Sequence, residues 1–240
     1  MRTLITTIFL LIFAASFGQT KSYYNIVDSN GDTTFWYKYQ TKQIKKLSLP
    51  LLNTVSNSIF FRVWTNKQVI EIFQNQTGAL SGKLITWIDE YAPYNEKPTN
   101  RTFIKEKALT GDTANLVRQL FLSSGILILP TDDSIKGWQH GFDGITYFIE
   151  YSTKDNYYFK SYWTPKAQDS LNEAIQVQNF IDSAFSLVKA GYVWKFFAKI
   201  IPYESYYNGG SSVAIRALTS EERKKYAKER KNYRQQMHLQ

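Results

Sequence analysis

The chain has 240 residues, 43% of them hydrophobic and 16% aromatic, with 20% charged residues and a formal charge of +9. This is globular composition and excludes a wholly disordered polymer. Cysteine is absent and only His140 and His238 supply imidazole, which excludes a thiol nucleophile, a disulfide framework and cysteine-ligated zinc or iron–sulfur sites. Neither a metal nor a cofactor is expected.

Met1-Arg2-Thr3 is followed by an uncharged apolar run, Leu4 to Ala15, and then by Ser16-Phe17-Gly18-Gln19. A basic start, a short apolar run and small residues at Ser16 and Gly18 have the order of a signal peptide, with cleavage expected after Gly18. The run falls short of the roughly 18 to 20 residues that span a bilayer, and no cysteine stands near the cut to carry a lipid. The expectation is a soluble exported protein, periplasmic or secreted. Residues 1–18 are its signal, 19–219 one α+β domain and 220–240 a basic helix. Two sequons, Asn75-Gln76-Thr77 and Asn100-Arg101-Thr102, bear on it only in a eukaryotic secretory pathway. An exported chain without disulfides fits a bacterial envelope better.

Tyr23 to Val27 and Thr33 to Tyr39 are β-branched and aromatic runs on either side of Asp28-Ser29-Asn30-Gly31-Asp32. A calcium loop needs glycine at its sixth place and glutamate at its twelfth, whereas here the glycine is fourth and the twelfth residue is Tyr39. The pattern predicts a hairpin turning at Asn30-Gly31. Ser58 to Trp64, Gln68 to Gln74, Lys83 to Tyr91 and Arg101 to Ala108 follow as strands of an antiparallel meander. Apolar bulk at both Ile59, Phe61, Val63 and Phe60, Trp64 predicts cover on both faces.

Thr110-Gly111-Asp112 opens a helix with Leu116, Val117, Leu120 and Phe121 on one stripe and Gly125 just beyond it. Ile126 to Leu129 is a short buried apolar run ended by Pro130. Gly144 to Tyr151 and Tyr157 to Trp163 form a second predicted hairpin, with Tyr147, Ile149 and Tyr151 sharing a face. Thr164-Pro165 has the form of a helix start, leading into a stripe from Leu171 to Val188. Ser212 to Leu218 reads as a short strand, and Thr219-Ser220-Glu221-Glu222 as a capping box for the terminal helix. Strands that surround a few helices predict a single α+β domain of meander and hairpins with three to four helices.

The segment Gly137-Trp138-Gln139-His140-Gly141-Phe142-Asp143-Gly144-Ile145-Thr146-Tyr147, continued by Glu150, Tyr157, Tyr162, Trp163 and Pro165, is similar to stretches in uncharacterised exported proteins of Bacteroidota. It covers about a fifth of the chain and describes a shape more than a chemistry. The resemblance implies a bacterial envelope protein and no particular activity.

Three constellations carry functional expectations. In the first, His140 and Asp143 form an acid/base pair joined by Glu150, as a hydrolase would need, although Glu150 has the strand parity opposite to Tyr147 and Ile149. In the second, exposed aromatics bind a glycan or another envelope protein, with Trp138, Tyr158 and Tyr162 as candidate ligand contacts; Trp64, Trp87 and Trp163 read as core. In the third, basic residues meet an anionic membrane surface. From Ser220 to Gln240 the chain holds seven basic and three acidic residues, with Arg223, Lys224, Lys225 and Lys228 as candidate contacts. A related candidate is Tyr192 to Tyr207, where Lys195 and Lys199 stand among Val193, Trp194, Phe196, Phe197, Ile200 and Ile201. Nucleic acid is not an expected partner of an exported chain. The leading expectation is a non-enzymatic protein- or glycan-binding module, with the hydrolase and the peripheral membrane protein as alternatives.

Overall fold

The structure is a computed structural model that describes residues 21–27, 30–55, 59–74, 77–92, 99–209 and 212–237. The signal-peptide reading, His238 and the first sequon's Asn75 lie outside the described residues. The chain folds as a single α+β domain. Its elements run β1 (Ser22–Tyr24), α1 (Phe35–Lys46), β2 (Phe60–Trp64), β3 (Gln68–Gln74), β4 (Leu80–Asp89), β5 (Thr102–Ala108), α2 (Gly111–Ser123), β6 (Thr146–Ser152), β7 (Asn156–Trp163), α3 (Asn172–Leu187), α4 (Ala190–Lys199), β8 (Ser205–Tyr207), β9 (Val213–Ile215) and α5 (Ser220–Met237).

The large sheet has the order β1-β7-β6-β2-β3-β4-β5, and every pairing is antiparallel except β1 with β7. The meander from β2 to β5 and the β6–β7 hairpin are thus joined edge to edge, with β2 and β6 as the seam. Alternation along the strands sorts side chains onto two covered faces. Phe61, Val63, Ile70, Ile72, Leu84, Ile149 and Tyr162 meet the apolar stripes of α2 and α3, Ala114, Val117, Phe121, Ala174, Val177, Phe180 and Ile181. On the other face Phe60, Trp64, Val69, Ile85, Trp87, Phe148 and Phe159 meet α1 and the segment behind it through Ile44, Leu47, Leu49 and Leu52. All five residues of β2 are therefore buried. A smaller cluster of Ile88, Phe197, Ile201, Tyr203, Leu218 and Tyr226 fastens α4 and α5 to the β4–β5 end.

The run Ile126 to Leu129, expected to be buried, buries Ile126 but leaves Ile128 87% exposed, and two assignments of secondary structure are corrected. Thr33 to Tyr39, expected as a strand, instead enters α1: Thr34 is its N-cap, accepting a bond from the Tyr37 amide, and Trp36, Gln40 and Ile44 follow at helical spacing. The aromatic residues that suggest a strand are used to dock this helix, with Tyr37 on Phe159 and Trp36 on Phe148, so tertiary packing overrides local propensity. Val27 and Thr33 form an antiparallel bridge, and Gly31 between them takes φ 82°, which glycine adopts freely.

Thr164-Pro165 opens only a single 3₁₀ turn, Pro165–Ala167, and α3 starts at Asn172. Thr164 sits in the left-handed region at φ 39°, and its hydroxyl accepts from the Ile145 amide instead of capping a helix. That bond ties the end of β7 to the entrance of β6. The terminal capping box forms as expected: Glu222 N–H donates to Thr219 Oγ1 and Thr219 N–H to Glu222 Oε2.

Candidate functional site

The loop before β6 is organised by Asp132. Its Oδ1 accepts from Ser161 Oγ (3.0 Å), Thr131 Oγ1 (3.3 Å) and the Asp133 amide (3.0 Å), and its Oδ2 from the Trp163 amide (2.6 Å). Burial pushes this carboxyl above the usual carboxylate range, against the Trp163 and Ser161 bonds that favour its charge. Gln168 closes the same loop by accepting from Gln139 N–H and donating to Gln139 O. Trp138 Nε1 donates to Trp163 O.

His140 lies on this clasp, with Nε2 3.4 Å from Asp133 and Nδ1 4.0 Å from Asp132. Ligand atoms of these three residues fall within 4.8 Å of one another. Asp132 is nonetheless a structural clasp, its Oδ1 bonded to Ser161 Oγ and the Asp133 amide and its Oδ2 to the Trp163 amide.

The expected His140–Asp143–Glu150 group is not assembled. Asp143 is exposed on the loop crest next to Phe142, while His140 turns to the two aspartates. Glu150 is fully buried under α1, where it accepts from Trp64 Nε1 (2.7 Å) and Tyr157 OH (2.9 Å) and faces Arg62 at 3.6 Å. Arg62 also pairs with Glu71 at 2.6 Å and donates to Pro50 O, so Glu150 belongs to a buried charge network that joins three strands and the chain behind α1.

Of the candidate ligand aromatics, Trp138 and Tyr162 are buried in the α3-side core and present no open ring. Tyr158 is half-buried and stacks on Tyr24 at 4.4 Å, where it secures the parallel edge strand. Trp64 and Trp87 are core, and Trp163 is partly covered by its own loop. A Cβ on Gly141 would stand 2.9 Å from the Trp163 indole, and one on Gly144 would collide with Thr164 Oγ1. The two glycines of the Gly-Phe-Asp-Gly segment let the loop lie against that ring. Arg223, Lys224, Lys225 and Lys228 are exposed on α5, and Arg223 faces Glu204 at 3.8 Å.

A different set of residues encloses a cavity of about 430 Å³ between α1 and the sheet. Trp64, Trp87, Phe148 and Gln40 are its buried lining, and Phe35, Tyr39 and Ile145 are exposed at its margin. Trp36 stands between them, edge-on to Phe35 and to Tyr39. Gln40 and Gln43 both line the cavity, and the buried side-chain NH₂ of each has no hydrogen-bond partner. The charged residues of the wall are already engaged. Asp89 pairs with Lys46 at 2.5 Å, and Lys67 lies 3.8 Å over the Trp194 ring while donating to Asn208. Burial lowers the Lys67 ammonium below its ordinary value.

The sequence reading missed Trp36, Tyr39, Gln40 and Gln43. Their three- and four-residue spacing is the available signal, legible once Thr34 is taken as an N-cap. Compared with protein-family models, curated proteins and solved structures, the chain matches none.

Proposed function

We propose that this is an exported, non-enzymatic module that binds a neutral segment of a glycan in the cavity beside α1. The observation that carries the reading is the cavity itself, walled by Trp64, Trp87 and Phe148, with Phe35 and Tyr39 exposed at its margin and the neutral side chains of Gln40 and Gln43 in its lining. Sugars bring apolar C–H faces for Trp36 and Tyr39 to stack on, and neutral hydroxyl groups that suit a wall without free charge. The Asp89–Lys46 pair leaves no unmatched carboxylate to select a cationic ligand. Export rests on the signal-like order of residues 1–18 and on the resemblance of the 137–147 segment.

The test is binding of the purified protein to an array of neutral oligosaccharides, followed by calorimetry on any sugar retained. Trp36→Ala is expected to weaken binding at least tenfold, or about 1.4 kcal/mol, with the circular dichroism spectrum unchanged. Absence of saccharide binding, or equal affinity in the variant, would refute this reading.

A further inference from the structure

We propose that the outer face of α4 docks on an anionic lipid surface. The inner side of this helix is spent on the fold: Ala190 and Phe197 are buried, and Val193 and Trp194 are half-covered. The outer side carries Tyr192, Phe196 and Ile200, which are 61%, 51% and 55% exposed. They are spaced four residues apart and form one row that runs along the helix to its C-cap residue, Ile200, with the Tyr192 and Phe196 rings 4.5 Å apart. Single exposed apolar residues are ordinary on a protein surface. Three large ones aligned on a helix make a patch.

Charge decides what covers it. Lys195 and Lys199 stand a helical turn apart beside the row, Lys199 lies 5.6 Å over the Phe196 ring, and exposed Lys189 precedes the helix. From Ser183 to Tyr203 the chain has no acidic residue. An apolar ridge one helix wide, rimmed by long unopposed cations, matches the boundary between acyl chains and phosphate groups. The rings and Ile200 enter the boundary while the lysine stems lie along it and bring their ammonium groups to the phosphates. This surface is separate from the cavity beside α1, and neither proposal depends on the other.

The protein without its first eighteen residues contains every helix and strand described above, and is the form to use. It is sedimented with phosphatidylcholine vesicles, alone or with about 30% phosphatidylglycerol, at low salt and at about 0.5 M salt. Binding is expected with the anionic vesicles, at least tenfold weaker with phosphatidylcholine, and reduced by salt. The double variant Phe196→Ser, Ile200→Ser should lose at least tenfold in binding. Lys195→Gln with Lys199→Gln should remove the preference for anionic lipid. These side chains are exposed, and an unchanged melting temperature confirms that each variant folds. The triple variant Lys224→Gln, Lys225→Gln, Lys228→Gln tests the terminal helix and should bind as the parent does. Failure to bind anionic vesicles overturns the proposal. So does parental binding by the Phe196→Ser, Ile200→Ser protein, which would assign the attraction to α5. Self-association through the ridge without vesicle binding, seen by light scattering, overturns it as well.

Discussion

Lys160 shows how one side chain can hold a segment that has no regular structure. On β7 it is 5% exposed, and its Nζ donates to the carbonyls of Ile126, Leu127 and Leu129 at 2.8, 2.7 and 2.6 Å. The three acceptors belong to the turn after α2, whose backbone would otherwise leave carbonyls without donors. Burial brings this ammonium from 10.5 down to about 8. Below pH 8 the cost of burying the charge is present in full. Between pH 8 and 10.5 the unfolded chain holds a proton that the folded chain has released, so stability rises with pH by up to about 1.4 kcal/mol per unit. Urea unfolding of the parent and of Lys160→Met at pH 7, 8 and 9 should show a steeper rise in the parent than in the variant, in which Lys67 and Lys21 still contribute. The tyrosines with raised values, such as Tyr203 at about 12, act in the opposite sense once the unfolded chain begins to release their protons near pH 10, so the Lys160 contribution is read as the difference between parent and variant.

At the scale of elements, α5 is fastened to the domain. Leu218 and Tyr226 are buried, and Tyr226 OH donates to Glu90, which also accepts from Thr99 and faces Arg101 and Arg230. Its start depends on the reciprocal bonds between Thr219 and Glu222. Thr219→Ala should cost about 1 kcal/mol of local stability, measured as faster amide exchange over residues 220–226. This helix, the meander and the β6–β7 hairpin were legible in sequence because cap chemistry and two-residue alternation are local signals. The start of α1 was hidden because Phe35, Trp36, Tyr37 and Tyr39 favour strands locally, whereas Trp36, Tyr37 and Tyr39 pack as one helical surface on Phe148, Tyr157 and Phe159. The candidate site was hidden for the same reason. Without that helix, nothing brings Gln40 and Gln43 to the sheet carrying Trp64 and Trp87. His140 and Asp143 were misleading in the opposite way, since nearness along the chain did not bring their side chains together.

At the scale of the whole molecule, stability is graded from the centre of the sheet outward. β2 lies between β3 and β6 with both faces covered, and at the edge β1 contributes three exposed residues. Amide exchange should be slowest in β2, β3 and β6 and fastest in β1 and the small β8–β9 hairpin, and equal protection throughout would contradict this gradient. Sheet order and chain order also disagree. The first strand pairs with the seventh, and the seam strand β2 waits for Thr146–Ser152. A chain delivered N-terminus first therefore emerges by more than half of its 240 residues before the middle of its sheet can close. Until then β2 lacks one neighbour and β1 its only one, and the order of synthesis itself keeps the early part of the molecule from completing its fold.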